Sequence, residues 1–398
     1  MRTSSFRYAA ALTGATLSAT LLATAAFPAA IERAIPSTTR ILYEDGRYIE
    51  FGVAYADPDQ SGEGATLPPL LSPTGTPLSF EGNTGDLFDG SWNFSGSYKA
   101  DINDRWSYAI VFDQPFGANT SYGNGPMTGT AGVFNYDGTR AELNTFHITG
   151  VLAYDLPDNM KIFGGLRAQR LDANAAIPFV GPTAGLPGYT VDTNEDWGYG
   201  YMLGWAYEKP EIALRVALSY HSAIEHDLKT TEFGGITIPG LQDGDTETDV
   251  TTPQSAMLEF QTGVAANTLV FGSIRWVDWS EFAIEPPSYV AATSGRPLVD
   301  YADDWWTYNL GIGYQFREDL AASISVTYEP SVGGELTTLG PYDGRTTLNL
   351  GAAYDVNDNL NLSGGLIYGR LGDTFNVLAT DFNDGSVWGA GLRVGYSF

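Results

Sequence analysis

A chain of 398 residues with 20 basic and 47 acidic side chains, formal charge −27, repels polyanions, which sets nucleic-acid partners aside. Cysteine is absent, so disulfides and thiolate metal sites are excluded. Beyond the N-terminus no run of eighteen apolar residues occurs, which excludes membrane-spanning helices.

Arg2 and Arg7 form a short basic start, followed by the apolar, small-residue stretch Ala9 to Ala26. Ala23-Thr24-Ala25-Ala26 suits signal-peptidase cleavage, so residues 1–26 read as a secretory signal peptide. From residue 47 to 398 one pattern recurs: segments of about ten residues alternate apolar with small or polar side chains, the period of a strand with two unlike faces. Fourteen such segments begin near 47, 91, 105, 139, 160, 196, 211, 253, 268, 304, 319, 345, 359 and 386. In the last, Trp388, Ala390, Leu392, Val394, Tyr396 and Phe398 share one face; Gly389, Gly391, Arg393, Gly395 and Ser397 share the other.

The connections alternate strictly between long and short, the short ones including Ile102-Asn103-Asp104, Leu156-Pro157-Asp158-Asn159 and Lys209-Pro210. An even strand count with one ragged and one tight rim is the signature of a bacterial outer-membrane barrel. Trp92, Trp106, Trp305, Trp306, Trp388 and Tyr396 fall at segment ends, as interfacial girdles require. The fold class that follows is all-β: a transmembrane antiparallel β-barrel of 14 strands over residues 47–398, in the bacterial outer membrane. The row opposite the apolar face (Gly, Ser, Asn, Arg) suits a wet or partly filled lumen.

Several stretches resemble the FadL family of outer-membrane long-chain fatty-acid and hydrocarbon transporters. Phe51-Gly52-Val53-Ala54-Tyr55-Ala56-Asp57-Pro58-Asp59 looks like that family's first strand and its Asp-Pro-Asp corner. Ile102 to Ala109 is similar to its first periplasmic turn, and Pro253, Met257, Glu259 and Val270 to Phe282 follow its proline-led strand and Trp-Ser-x-Phe close. The resemblance implies a fourteen-stranded monomeric barrel with an N-terminal plug, here residues 27–46, although the family's Asn-Pro-Ala motif is missing.

Carriage of a fatty acid needs an apolar landing place and a cation for the carboxylate. Two external loops are unusually apolar, and Ile177, Phe179, Val180, Leu186, Ile236 and Ile238 are their candidate substrate-binding residues. Their alternative is packing on each other or on the rim. Strand alternation turns Arg167, Arg215, Arg275 and Arg393 to the lumen, where a guanidinium fork would hold a carboxylate. The alternative is neutralisation of inward acids such as Glu259 and Asp278.

His147, His221 and His226 come without a catalytic constellation or metal spacing, and His221, Glu225 and His226 read as solvated or rim residues. Asp243 to Asp249 reads as a solvated acidic loop rather than a Ca²⁺ site. No cofactor and no enzyme activity are expected. The expected partners are a hydrophobic small molecule, outer-membrane lipid and lipopolysaccharide. The competing functions are a general porin for small polar solutes and a structural or adhesive barrel.

Overall fold

Period-two alternation becomes one closed sheet. The computed structural model describes residues 31–398 apart from 36–37, 65, 68–77, 123–125, 130–131, 136–137, 178–187, 235–242, 294, 334–336, 338, 341 and 377–379. The signal-peptide segment therefore lies outside the described residues. Strand β1 (Arg47–Asp59) is antiparallel to β2 (Ser91–Asp101) on one edge and to β14 (Ser386–Ser397) on the other, and this double pairing closes the ring. Around it run β3 (Trp106–Asp113, continued by Gly117–Ser121), β4 (Arg140–Leu156) and β5 (Met160–Ile177). Next come β6 (Tyr189–Thr193 and Asp196–Lys209), β7 (Leu214–His221 and Ile224–Phe233) and β8 (Gly244–Thr252 and Ser255–Ala265). The circuit ends with β9 (Thr268–Val277), β10 (Trp305–Arg317), β11 (Leu320–Glu329), β12 (Arg345–Asp355) and β13 (Leu360–Leu371). Fourteen antiparallel wall strands without a free edge are what hydrocarbon demands, since it offers no partner to a backbone N–H or C=O.

The apolar rows face outward. Leu166 is 77% exposed, Leu392 65% and Leu366 58%, while lumen-side Leu371 and Val387 are buried. Side chains this apolar and this bare belong against acyl chains, and tyrosine and tryptophan flank them. Tyr55 packs on Trp92 and Trp388 at 5.0 and 5.6 Å near one rim, and Trp106 on Tyr154 at 4.7 Å near the other. The tight turns follow local chemistry. In the β4–β5 hairpin, Asp158 and Asn159 adopt φ of 62° and 60°, the left-handed region that short polar side chains tolerate best after glycine.

Most strands begin within a residue or two of the sequence expectation. β6, β7 and β8 differ, because each extends outward past its bilayer segment: by Tyr189–Thr193, Ile224–Phe233 and Gly244–Thr252. The acidic stretch Asp243 to Asp249, expected as a loop, is largely strand, with Asp245, Glu247 and Asp249 on its exposed face. No lipid-facing apolar row exists at that height, so the signal that marks a bilayer strand is missing.

Described residues 31–35 and 38–46 contact lumen-facing side chains. The short helix α1 (Thr38–Ile41) places Arg40 against Glu50 and, at 3.3 Å, Glu44. Ile41 and Leu42 bury among Tyr48, Val151, Phe163, Met202 and Ala217, and Lys161 Nζ donates to the Leu42 carbonyl at 2.7 Å.

A charge on the outward row should be expensive. Leu366→Arg is expected to lower barrel stability in lipid vesicles by about 2–4 kcal/mol, as for a midplane arginine. Urea titration of the vesicle-embedded protein checks this, and an unchanged midpoint would show that Leu366 does not face lipid.

Candidate functional site

The lumen is stratified, and β4 and β5 show it. Along β4 from the periplasmic end, the inward side chains run Ala153, Val151, then Thr149, His147, Thr145, then Leu143, Ala141. Along β5 they run Phe163, then Arg167, Gln169, then Leu171, Ala173, Ala175, Ile177. A lower apolar layer grips the N-terminal segment, a polar belt crosses the middle, and an apolar basket occupies the outer end.

The basket is the feature that sequence reading missed. Leu143, Leu171, Val191, Leu228 and Val250 form its walls, and Ile284, Leu298, Val299, Tyr301 and Leu339 come from the outer loops. It surrounds a cavity of about 50 Å³. That cavity is smaller than the approximately 150 Å³ that holds benzene in an engineered apolar core. A ligand must therefore part its walls. A signal for the basket does exist in the chain: the phase of alternation inverts. On β4 the outward row changes from Phe146, Ile148 and Leu152 to Asn144, Glu142 and Arg140, just where the inward row turns apolar. β4 leaves the bilayer at this inversion.

The polar belt depends on two glycines. Gly198 and Gly200 of β6 stand opposite Gln169 and Arg167 of β5 in the ladder. A Cβ at Gly200 would lie 2.6 Å from Ser222 Oγ, and one at Gly198 would lie 2.9 Å from His226 Cε1. Without side chains there, residues of β5 and β7 meet across β6. Arg167 Nη1 donates to the Ser222 carbonyl at 2.9 Å, and its Nη2 lies 3.4 Å from His147 Nδ1. His226 spans Gln169 Oε1 (2.9 Å) and Asp196 Oδ2 (3.2 Å). All three histidines are buried, not the solvated rim residues that the strand-end position of two of them suggested. Among the described residues, His147 Nε2, His221 Nε2 and Gln169 Nε2 have no hydrogen-bond partner.

All four candidate arginines face the lumen and are buried, but their surroundings differ. Arg215 Nη2 is 2.7 Å from Glu208, and its guanidinium lies 3.5 Å above the Tyr43 ring. Arg275 is 2.5 Å from Glu32, and Arg393 is 3.4 Å from Glu50. Arg167 has no carboxylate within 4.0 Å among the described residues; the nearest acid is Asp113, 3.6 Å from His147. Glu259 and Asp278 are occupied otherwise, by Thr39 and Gln254. Of the loop candidates, Ile177 is buried in the basket cluster. Phe179, Val180, Leu186, Ile236 and Ile238 lie outside the described residues.

The wall changes partner beside the basket. The β2–β3 ladder stops at Gly96 opposite Phe112. There Gln114 Oε1 accepts from Phe94 N at 3.0 Å, and Pro115 and Phe116 bend β3 away. The freed edge is stitched by other backbone. Pro115 O accepts from Arg33 N (2.6 Å) and Ala34 N (3.1 Å), Gly117 N donates to Ile31 O (2.7 Å), and Ser121 N donates to Leu87 O (2.8 Å).

A closed, lipid-facing barrel with a stratified lumen and a stitched break in its wall is an outer-membrane transport barrel. The chain belongs to the outer membrane transport protein family OMPP1/FadL/TodX, whose family profile matches residues 4–383. No curated protein matches the chain. Among solved structures, it is similar to a FadL homologue of Pseudomonas aeruginosa (16% identity, TM-score 0.69, covering 90% of this chain and 92% of that one). It is also similar to the toluene transporter TbuX of Ralstonia pickettii (14%, 0.56, 90% and 90%). The toluene transporter TodX of Pseudomonas putida aligns as well (13%, 0.59, 90% and 91%). At such identities the likeness establishes the fold alone. Fold and family are those of transport channels rather than enzymes.

Burial pushes the Glu32 carboxyl up to about 7, with Arg275 pulling it down. A carboxyl raised on docking favours the docked segment most below its free value of 4.5; that advantage drains away as pH rises to about 7 and is gone above it. A nitroxide at Ala34→Cys is therefore expected to gain mobility between about pH 5 and 7 and then plateau, with Glu32→Gln removing the trend. A spectrum constant from pH 5 to 8.5 in the unmutated background would refute it.

Proposed function

We propose that this barrel carries out passive uptake of long-chain fatty acids or closely related hydrophobic compounds. The observation that carries the reading is the apolar basket resting on a polar floor that holds Arg167. An amphiphile with one charged end fits that arrangement: its tail replaces basket contacts, and its carboxylate meets a guanidinium already desolvated and short of a carboxylate partner. A desolvated arginine fork is a strong carboxylate ligand because water no longer competes. Arg215, Arg275 and Arg393 each face a protein carboxylate, which supports a role for them in bracing the wall and the N-terminal segment.

In this reading the substrate leaves lipopolysaccharide at the outer loops, where Phe179, Val180, Leu186, Ile236 and Ile238 supply apolar landing surface, and then meets Ile177 within the basket. It enters the basket and leaves through the wall break between β2 and β3 or past residues 27–46 acting as a plug. The protein acts as a monomer, with neither ATP nor a chemical step.

Neutral aromatic hydrocarbons are the second reading, favoured by the names of two relatives, TbuX and TodX, as toluene transporters. A porin for polar solutes gains little support from a lumen whose outer end is lined by leucine and valine.

Uptake of radiolabelled oleate by cells lacking their own transporter separates these readings. Arg167→Ala is expected to reduce oleate uptake about tenfold, the scale of one charge-assisted hydrogen bond, and to leave toluene uptake unchanged. Leu228→Trp, which crowds the cavity, is expected to reduce both. Protein-dependent uptake of both compounds that is indifferent to Arg167→Ala would favour the neutral reading, equal loss of both would overturn the role of Arg167 as carboxylate ligand, and no protein-dependent uptake from a correctly inserted barrel would overturn the proposal.

A further inference from the structure

The connection between β9 and β10 has a buried root and a half-buried tip, whose Tyr289 and Ala292 pack on the apolar cluster. At the root, Trp279 and Phe282 are buried with ring centroids 5.4 Å apart, and Ala283–Ile284 pairs with Val299–Asp300. From there Ile284, Pro286, Leu298, Val299 and Tyr301 line the apolar cavity. The tip is helix α2 (Pro287–Ala292), none of whose residues is buried.

One carboxylate ties this tip to the far strands. Glu232, at the outer end of β7, is 0% exposed. Its Oε1 accepts from Thr246 Oγ1 of β8 (2.8 Å) and from Ser288 N (3.1 Å). Its Oε2 accepts from the Tyr189 hydroxyl of β6 (2.6 Å) and from Tyr289 N (3.1 Å). Donors from two wall strands and from the first turn of α2 therefore converge on a single acid, and the Tyr189 and Tyr289 rings pack 5.1 Å apart beside it. No cation lies within 4.0 Å of Glu232 among the described residues. A buried carboxylate without a counter-ion is stable only while its lone pairs are filled. The two backbone donors belong to the movable tip. Withdrawal of α2 removes half of the acid's partners and admits water, so intermediate positions are disfavoured and the contact is closer to all-or-none than apolar packing would be.

We propose that the β9–β10 connection is a lid over the apolar cavity, that Glu232 is the latch holding it shut, and that release of α2 from Glu232 limits admission of substrate from outside. The proposal rests on the reading of that cavity as the substrate chamber.

The absence of cysteine makes the test clean: spin labels at the exposed positions Lys229→Cys and Ala291→Cys report lid position in the full-length protein in nanodiscs. A single distance is expected with Glu232 in place. Glu232→Gln, which turns an amide N–H₂ toward two donors, should raise an open, longer-distance population about tenfold, and speed oleate uptake by cells. Tyr189→Phe keeps ring and carboxylate, removes one donor and should do the same more weakly; it carries the test should Glu232→Gln fail to insert. Unchanged distances in both variants would overturn the latch. An opened lid with unchanged uptake rate would overturn its control of admission. Because the distances are read without substrate, they judge the latch even should the unmutated protein take up no oleate, a result that would count against fatty-acid uptake instead.

Discussion

Every side chain of a closed barrel has one of two destinations, hydrocarbon or lumen, and the backbone offers no third. Closure is forced because an open edge would strand N–H and C=O groups in a medium that cannot bond them. Once closed, alternate residues are committed, and an apolar row cannot be shared between faces. The outward rows of β4 and β5 are spent on the bilayer, so within the bilayer the lumen receives Thr149, His147, Arg167 and Gln169. Only above the bilayer, where outward positions are Glu142, Asn144 and Asp172, does the same alternation turn leucine inward. The basket and its polar floor are consequences of where the membrane ends.

That constraint explains what was legible in the chain and what was not. The bilayer segments of the strands, the tight turns and the inward direction of four arginines follow from period two and are found in the structure, whereas the outward extensions of β6, β7 and β8 do not follow from it. What each arginine meets does not follow, because period two gives neither the register that sets Glu208 opposite Arg215 nor the N-terminal segment that supplies Glu32. Arg275 meets Glu32 from 243 residues away in sequence, and Arg215 lies over Tyr43. The burial of His226 was hidden for a related reason: it sits in the space left by Gly198, which reads as an ordinary member of an alternating row until β5 and β7 are seen to touch across β6. The basket was legible in principle, since the inversion of polarity along β4 is written in the residues themselves.

Ion pairs in the lumen deserve a different account from ion pairs in a folded core. A buried pair is often no more stabilising than well-packed apolar groups of the same volume, yet breaking one by removing a partner is costly. Here Arg40 of the N-terminal segment pairs with Glu50 of β1 and Glu32 with Arg275 of β9, so polar ties share with apolar packing the work of fastening the described N-terminal residues, while Arg393 and Glu50 tie β14 to β1 within the wall. Apolar packing holds Ile41 and Leu42 below, but Glu32 and the backbone of Ile31 to Ala34 sit at the bend of β3 with mainly polar ties. Those contacts can exchange with water at modest cost, which suits a segment stitched across a break in the wall.

The same logic separates the two ends of the molecule. At the periplasmic layer, aliphatic side chains of α1 fill the lumen against Phe163 and Met202, and parting them would leave a cavity with nothing to occupy it. At the outer end, α2 half-buries Tyr289 and Ala292 against the basket, and its backbone N–H groups are tied to a carboxylate that water can solvate as soon as it is reached. A hydrophobic solute entering the basket replaces the apolar contacts it displaces, so opening there need not leave exposed surface behind. Neither closure can impose a direction on its own: in a barrel without an energy source net flux follows the solute gradient, and the two ends differ only in what must replace the contacts that part.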